Sequence, residues 1–540
     1  MLHKVLRSLC LMFALVALAP AHADRPKPAG TLAEGVAAAR AGNYAAALTI
    51  FESACSSGVA EGCSDLAALY SDGLGVPIDK VRAAALNGQA CDGGAVRGCF
   101  MLGYYSSNGI GVAQDKARAA PLYTRACNGG IVEACSNLGV LYDHGAGVAQ
   151  DFARAVALYT KGCDGGDPQG CNNLGSLYGG GHGVPLDWQR AATLYTGACD
   201  HGIALGCANL GTLYDHGTGV ARDPARAVAL YTRGCDDGVM AGCANLGFLL
   251  SKGNGVPADP ARAVALYTRA CDGGEMLGCY NLGIYAADGT MGPKDKARAV
   301  ALYTKACDGG VPKACSNLGV AYEKGDGVGR DLSRSLNLYT RACDSDDFQA
   351  CHNLATLYSD GHGAARDGPR ALALYRKACD AGLALSCNNL GAYYEPGGAA
   401  DKVRAVAFYR IACDGKVPTG CSNLGAMYAR GWGVPVDVAK ARALFVIACD
   451  GGETLGCVNL GAIYGRPGPN QDKPRAIRLF EQGCAAKNAL GCTNLAIALA
   501  GNGVTQANRP RIVALLRQAV AIDPGLPEAR SALQKLGLKP

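Results

Sequence analysis

The cysteines are the feature that most constrains how this chain can fold. Of its 27 cysteines, 26 fall into pairs whose members lie eight residues apart. From Cys55 to Cys379 the first members follow one another every 36 residues, and the last three steps are 34, 36 and 35 residues. A fixed period of this length indicates a repeat array, in which each unit packs against its neighbours. The thirteen pairs are Cys55 with Cys63, Cys91 with Cys99, Cys127 with Cys135, Cys163 with Cys171, Cys199 with Cys207, Cys235 with Cys243, Cys271 with Cys279, Cys307 with Cys315, Cys343 with Cys351, Cys379 with Cys387, Cys413 with Cys421, Cys449 with Cys457, and Cys484 with Cys492.

The sequence between the cysteines predicts two short helices in each repeat, A and B. In residues 135–163, Leu138, Leu141 and Tyr142 have the spacing of one helix face, and two glycines follow that end helix A. Asp151 is a suitable N-cap for helix B, which extends to the next cysteine pair. Length changes in the array fall in the connection between helices A and B, where they leave the helices in register. The chain is therefore predicted to be an all-α solenoid of helical hairpins.

The two ends of the chain differ from the array. Residues 1–23 have a basic start, an apolar stretch and a small-x-small site ending at Ala23, which predicts a cleaved signal peptide. We expect a short linker at 24–33, about thirteen repeats at 34–508, and a tetratricopeptide-like cap without cysteines at 509–540. No later segment approaches the ~18 uninterrupted apolar residues of a membrane span. The predicted location is therefore periplasmic or secreted.

The spacing of each cysteine pair also limits where it can lie. Eight residues along one helix span about 12 Å, whereas the Cα atoms of a disulfide lie within about 7 Å. Each pair must therefore straddle a turn, with one cysteine ending helix B and the other beginning the next helix A. A disulfide there could clamp the hairpin in an oxidising compartment. Zinc binding would need four ligands close together, and a redox catalyst would use a C-x-x-C spacing, so structural disulfides are favoured.

The recurring pattern A-C-x-N-L-G-x-x-Y…G-x-G-V-x-x-D-x-x-R-A-x-x-L-Y-x-x-A-C resembles the Sel-one-like repeat family, which is related to tetratricopeptide repeats. The paired cysteines are similar to those of its secreted, cysteine-rich, Hcp-type branch. The resemblance covers nearly all of residues 34–500. It implies a right-handed αα-hairpin superhelix, a disulfide within each cysteine pair, and adaptor-like protein binding. It also implies β-lactamase or penicillin-binding activity as an alternative.

The sequence itself contains no catalytic pattern that would support a hydrolase. No serine is followed by lysine three residues later, and neither K-T-G nor G-x-S-x-G occurs. Most of the histidines, including His144, His182, His216 and His362, fall in glycine-rich A–B connections, where exposed turn residues are the favoured interpretation. We expect no catalytic residue, no metal and no cofactor, and the hydrolase alternative rests on the family alone.

The asparagine of C-x-N-L-G forms a ladder with one position in each repeat. It has two interpretations: a structural bond to the backbone of the preceding hairpin, or contact with a client in the concave groove. The structural interpretation is favoured because eleven copies exceed what one ligand needs. Asp65 and Met101 replace it in the first two repeats. The asparagines are Asn137, Asn173, Asn209, Asn245, Asn281, Asn317, Asn353, Asn389, Asn423, Asn459 and Asn494.

A second ladder pairs an aspartate with an arginine three residues later, as in Asp151 and Arg154. The aspartate is explained by capping, and the arginine is predicted to form an ion pair with it. The recurrent tyrosine of helix B, such as Tyr159, is predicted to pack between repeats. The net charge of +6 is spread along the chain and does not form the basic patch that is typical of a nucleic-acid-binding surface. We therefore expect a monomer that binds a protein or peptide client. A purely structural envelope protein is the second alternative, after the hydrolase.

Overall fold

A computed structural model describes residues 30–290, 293–468, 471–501 and 503–539. The predicted signal peptide at 1–23 lies outside them. Within these residues the secondary structure is helical throughout, with 29 helices and no strand. The helices are α1 (Leu32–Arg40), α2 (Tyr44–Ser56), α3 (Ala60–Asp72), α4 (Lys80–Asp92), α5 (Val96–Asn108), α6 (Lys116–Asn128), α7 (Val132–His144), α8 (Phe152–Asp164), α9 (Pro168–Gly180), α10 (Trp188–Asp200), α11 (Ala204–His216), α12 (Pro224–Asp236), α13 (Met240–Lys252), α14 (Pro260–Asp272), α15 (Met276–Asp288), α16 (Lys296–Asp308), α17 (Pro312–Lys324), α18 (Leu332–Asp344), α19 (Phe348–Asp360), α20 (Gly368–Asp380), α21 (Ala384–Tyr394), α22 (Ala399–Asp414), α23 (Pro418–Arg430), α24 (Val438–Asp450), α25 (Thr454–Gly465), α26 (Lys473–Ala485), α27 (Ala489–Ala500), α28 (Arg509–Ile522) and α29 (Pro527–Lys535).

The helices form two compact units, the first ending at Gly278 and the second beginning at Cys279. In each unit the A helices, odd-numbered from α3 to α27, alternate with the B helices, even-numbered from α2 to α26. From α1 to α14 and from α16 to α29 each helix packs against the next one, and successive A helices such as α7 and α9, or α23 and α25, also pack together. The predicted all-α, disulfide-stapled solenoid is confirmed. None of the described helices combines the length and the hydropathy needed to cross a bilayer.

The ends of the helices follow the capping signals in the sequence. The carboxylate of Asp151 accepts the backbone N–H of Arg154 at 3.0 Å, and the equivalent bond begins eleven of the described B helices. Helix α7 ends at Gly145, whose φ of 64° is the left-handed conformation that glycine adopts most easily. Gly147, also at positive φ, lies directly against the backbone at the start of α6, where a side chain would not fit. In nine A–B connections of the described chain a glycine lies against the start of the preceding B helix in this way.

The core of a repeat is built around the tyrosine of helix B. Tyr159 of α8 is 1% exposed, and its ring lies on Gly139 of α7, where a Cβ atom would come within 2.7 Å of the ring. The same contact joins Gly319 to Tyr339 in the second unit. The small residue of N-L-G therefore lets helices A and B approach closely around an aromatic ring. The predicted packing role of the tyrosines agrees with their burial.

Candidate functional site

The cysteine pairs lie at the turns between each B helix and the next A helix. Twelve disulfides join residues eight apart, with Cα–Cα distances of 4.4–4.9 Å. Cys271 and Cys279 are disulfide-bonded as well. Each of the twelve bridges fastens one repeat to the following repeat at the same end of the hairpins.

The second cysteine of each pair lies further along helix A than the sequence predicts. The spacing places it at the beginning of helix A, whereas it is the fourth residue of that helix, as Cys63 is in α3. The helix begins earlier because the turn between helices B and A takes only three residues, 57–59 in this repeat.

Twelve of these thirteen second cysteines are buried, and Cys171 is half-buried. These cysteines therefore belong to the packed core between repeats and offer little accessible surface to a ligand. The buried second cysteines are Cys63, Cys99, Cys135, Cys207, Cys243, Cys279, Cys315, Cys351, Cys387, Cys421, Cys457 and Cys492.

A second tie between repeats, which the sequence analysis missed, lies beside the disulfides. A lysine or arginine two residues before a cysteine reaches back to the cysteine that lies 34 residues earlier. Arg125 donates to the carbonyl oxygen of Cys91 at 2.6 Å, and Lys377 donates to that of Cys343 at 2.8 Å. We call each such contact a cation clasp. Clasps are formed by Arg125, Lys161, Arg233, Arg269, Arg341 and Lys377, with Arg233 contacting the sulfur of Cys199 instead of its carbonyl.

The arginine of the Asp–Arg ladder has a different partner from the predicted one. In nine repeats its charged group, or that of Lys440, lies 4.3–5.6 Å from the ring centroid of the tyrosine that ends helix A. Ion pairs to the aspartate three residues earlier occur in three repeats of the described chain, at Arg154, Arg334 and Arg404. The ladder therefore joins helices A and B of one repeat mainly through cation–π contacts.

The asparagine ladder lies on the A helices, and all eleven side chains are half-buried. Their partners among the described residues are side chains, mainly tyrosine hydroxyls of the preceding B helix. Burial raises the pKa of Tyr231 to about 12, although its hydrogen bonds with Thr212 and Asn245 oppose the shift. In the same way Asn173 bonds to the hydroxyl of Tyr159. The amides therefore help to fix one repeat on the next while part of each stays open to solvent.

One continuous stripe of each A helix carries the asparagine. It consists of the residues four before, three after and seven after the asparagine, which share a helix face. In α11 these are Leu205, Asn209, Thr212 and His216. We call the set of these stripes the asparagine face. Six large apolar residues on it are 38–51% exposed: Leu205, Phe248, Leu277, Leu385, Leu455 and Ile497.

The histidines are held by local contacts. The Nδ1 atoms of His144 and His216 lie 3.1 and 2.9 Å from the carbonyl oxygens one helical turn earlier. His182 stacks on Phe152 with 5.1 Å between ring centroids. His352 is buried, its Nδ1 lies 2.8 Å from Ser386 Oγ, and burial lowers its pKa. In the described ranges no group of three or more His, Cys, Asp or Glu residues is arranged to hold a metal ion.

The period, the hairpins and the paired turns match a known repeat. The sequence model of the Sel1 repeat matches twelve segments of this chain. The chain belongs to the Sel1 repeat family. The matched residues are 60–94, 96–131, 132–167, 168–203, 204–239, 241–275, 277–311, 312–347, 348–383, 384–416, 418–453 and 454–488.

The chain is also similar to proteins of solved structure. The chain is similar to c5321, a protective antigen present in uropathogenic Escherichia coli strains, which displays an SLR fold: 26% identity over 91% of this chain and 97% of that one, with a TM-score of 0.51. A Sel1 repeat protein from Oxalobacter formigenes is 22% identical over 44% of this chain and 96% of its own, with a TM-score of 0.42. No curated protein matches the chain. Solenoids of this kind are typical protein-interaction scaffolds, because they offer long surfaces built from repeated elements.

Proposed function

We propose that this Sel1 repeat protein is an exported scaffold that binds a segment of another protein on its asparagine face. The observation that supports this proposal most directly is the exposure of large apolar side chains on that face. Leu205 is 44% exposed, Phe248 is 45% exposed and Leu277 is 48% exposed, and they lie on the successive A helices α11, α13 and α15. Apolar side chains grouped on one face of successive elements are typical of interaction surfaces.

The polar groups of the same face suit recognition of a polypeptide. Asparagines such as Asn173 and Asn245 use part of the amide to hold the neighbouring repeat, and their half-buried position leaves the remainder accessible. An amide both donates and accepts hydrogen bonds without placing a charge in an interface. Apolar anchors beside a row of amides therefore fit a client whose side chains occupy the spaces between A helices and whose backbone bonds to the ladder.

The proposed export rests on the disulfides and on the predicted signal peptide. Structural disulfides are stable in the periplasm and outside the cell, and they are reduced in most cytosols. Since every repeat junction in the matched array carries such a pair, an oxidising compartment suits the whole chain. We propose cleavage near Ala23 and residence in the periplasm or beyond it.

A site-specific photocrosslinker tests the asparagine face. The crosslinking residue is placed at Leu205 or Phe248, and in a matched control at Ala229, an exposed residue of the B helix α12. We expect one partner to be captured in the exported compartment from the first two positions and not from the third. The purified partner should then bind Phe248→Asp at least tenfold more weakly than Ala229→Asp. Equal affinities of these two variants, or capture from Ala229 alone, would contradict the proposal.

The two other functions are tested by different measurements. No arrangement of side chains in the described residues favours the hydrolase alternative, and a β-lactam-opening assay with a reduced and alkylated control tests it. A purely structural envelope protein would yield no captured partner from either position of the asparagine face. Opening of a β-lactam would indicate the hydrolase, and the absence of a captured partner would indicate the structural protein, whereas a scaffold is expected to yield a partner and no β-lactam opening.

A further inference from the structure

We propose a second docking surface at the stapled ends of the B helices α20, α22 and α24, which takes a basic segment of a partner protein. It is built on B helices, whereas the asparagine face is built on A helices, and it does not depend on the proposed function. The surface consists of three successive positions at which the cation clasp is missing, which we call the open clasps. Their acceptor residues are Cys379 with Asp380, Cys413 with Asp414, and Cys449 with Asp450.

The filled clasps of the same unit show what such a position binds. The guanidinium of Arg341 lies 3.3 Å from the carbonyl oxygen of Cys307 and 3.6 Å from the carboxylate of Asp308. The ammonium of Lys377 is equally held between the Cys343 carbonyl, at 2.8 Å, and a carboxylate of the following turn, at 3.0 Å. In the filled and the open clasps alike, the cysteine carbonyl already accepts one backbone N–H of the following turn, and its second lone pair can accept from a cation. The negative end of the helix dipole lies at the same place and also attracts a cation.

At the open clasps the chain does not supply this cation. Ile411, Ile447 and Gln482 occupy the position that carries arginine or lysine in the filled clasps. Ile411 is 48% exposed and Ile447 is 53% exposed, so about half of each apolar side chain is open to solvent. Within the described residues, the exposed carboxylates of Asp380, Asp414 and Asp450 have no ion-pair partner within 4 Å. The cysteine carbonyls and the aspartate carboxylates of the open clasps are thus available to a cation from another molecule, beside the apolar side chains of Ile411 and Ile447.

The third open clasp is also a cavity. A space of about 470 Å³ is lined by Cys449, Asp450, Thr454 and Gln482, with Leu460 and Leu479 on its apolar side. The carboxylate and the helix end suit a guanidinium or ammonium group, and the apolar side suits the methylene stem that carries it. Arg475 also lines the cavity, but its guanidinium is held 4.6 Å from the ring centroid of Tyr464. A side chain entering from outside would reproduce the contact that Lys377 makes within the chain.

The spacing of the open clasps defines the occupant further. In the filled clasps one arginine or lysine side chain reaches from its own B helix to the end of the preceding B helix. Successive clasps are therefore on the order of 10 Å apart, which an extended chain covers in about three residues. The geometry therefore fits an extended segment with a lysine or arginine at every third position and apolar groups between them. A free polyamine has the same cationic chemistry but lacks apolar side chains to place on Ile411 and Ile447.

The test uses the full oxidised protein and a labelled peptide with arginine at positions 1, 4 and 7 and leucine between. Fluorescence anisotropy measures its binding beside the same peptide with citrulline for arginine. We expect the citrulline peptide to bind at least tenfold more weakly, because it keeps the shape and loses the charge. Spermidine should compete at least tenfold less well than unlabelled peptide. Equal binding of the two peptides, or spermidine as strong as the peptide, overturns the proposal.

Substitutions that place an arginine of this chain in the open clasps provide the matched variants. The double variant Ile411→Arg/Ile447→Arg should close two clasps and weaken peptide binding at least tenfold. The control Val403→Arg/Val438→Arg places the same charge on exposed residues of the same helices, about 12 Å from the clasps, and should change binding less than threefold. Asp450→Asn tests the third clasp without added volume and should also weaken binding. Equal affinities of the two double variants would refute the proposal.

Discussion

Removal of a single disulfide tests whether the bridges act locally between two repeats. The double variant Cys163→Ala/Cys171→Ala removes the bridge between α8 and α9. Both residues are half-buried, so little packing is lost with the sulfur atoms. The expected loss of stability therefore comes mainly from the conformational entropy that the chain gains when the bridge is absent.

The magnitude follows from the loop that the bridge closes. Residues 163–171 form a nine-residue loop, for which the chain-entropy relation gives about 2.6 kcal/mol at 25 °C. Since about 1.4 kcal/mol corresponds to a factor of ten, the junction between α8 and α9 should open roughly 70-fold more often. A repeat array is stabilised mainly by nearest-neighbour contacts, so this increase should be confined to the repeats beside the missing bridge.

Native-state hydrogen exchange followed by mass spectrometry measures both the size and the place of the effect. Amides of α8 and α9 should lose protection by roughly 70-fold, whereas amides of α18 and α19 in the second unit serve as an internal reference and should not change. The variant Cys235→Ala/Cys243→Ala opens a loop of the same length but removes fully buried sulfur atoms, so any additional loss there measures packing. Unchanged exchange in α8 and α9, or an equal loss in the reference helices, would refute the local clamp.

Three further substitutions test the contacts inside a repeat. Arg226→Ala removes a guanidinium that lies 4.7 Å from the ring centroid of Tyr214 and should lower the free energy of unfolding by about 0.5–1 kcal/mol in urea titration. Gly139→Ala should destabilise the fold by roughly 1 kcal/mol, because the clash with a buried tyrosine ring exceeds the gain in helix propensity. His352→Ser should reduce the loss of melting temperature between pH 8 and pH 5. Burial lowers the pKa of His352, so the unfolded chain binds the proton first as the pH falls below 6.5, and the histidine costs stability only there.

Each of these substitutions has a control in a sister position. Arg262 has leucine in place of the tyrosine twelve residues earlier, so Arg262→Ala should cost less than Arg226→Ala, and an equal cost would remove the cation–π explanation. Ala355 occupies the glycine position of its own repeat, and Ala355→Gly should destabilise rather than stabilise the fold. His216 is exposed, and a change of pH dependence in His216→Ser as large as in His352→Ser would contradict burial as the cause.

The sequence is sufficient to predict the helices and the turns because their determinants are local. Asp151 caps helix B through a bond to a residue three positions away, and Gly145 ends helix A through its own backbone conformation. The cysteine pairs are nearly as local, since eight residues and one turn restrict the geometry. These signals recur in each repeat, so a single weak pattern is supported many times within one chain.

The contacts between repeats could not be predicted in the same way, because their partners are distant in sequence. The carbonyl that receives Arg125 lies 34 residues earlier, and its proximity depends on how one repeat stacks on the next. Arg334 illustrates the same difficulty within a repeat: the expected ion pair with Asp331 forms at 3.4 Å, but the guanidinium also bonds to the hydroxyl of Tyr322 at 3.1 Å. The recurrence of a cation two residues before cysteine is the signal that could have revealed the clasps.

The position of the bridges has a consequence for how such a chain can lengthen or shorten during evolution. One A–B pair, for example α5 and α6, carries one cysteine bonded to the repeat before it and one bonded to the repeat after it. Duplication or loss of a whole pair therefore leaves every thiol with a partner, because the new neighbours supply matching halves of a bridge. A bridge closed within a single pair would also survive such an event but would not join the duplicate to the array. Gene duplication can thus change the number of repeats in one step while the protein remains covalently fastened from one repeat to the next.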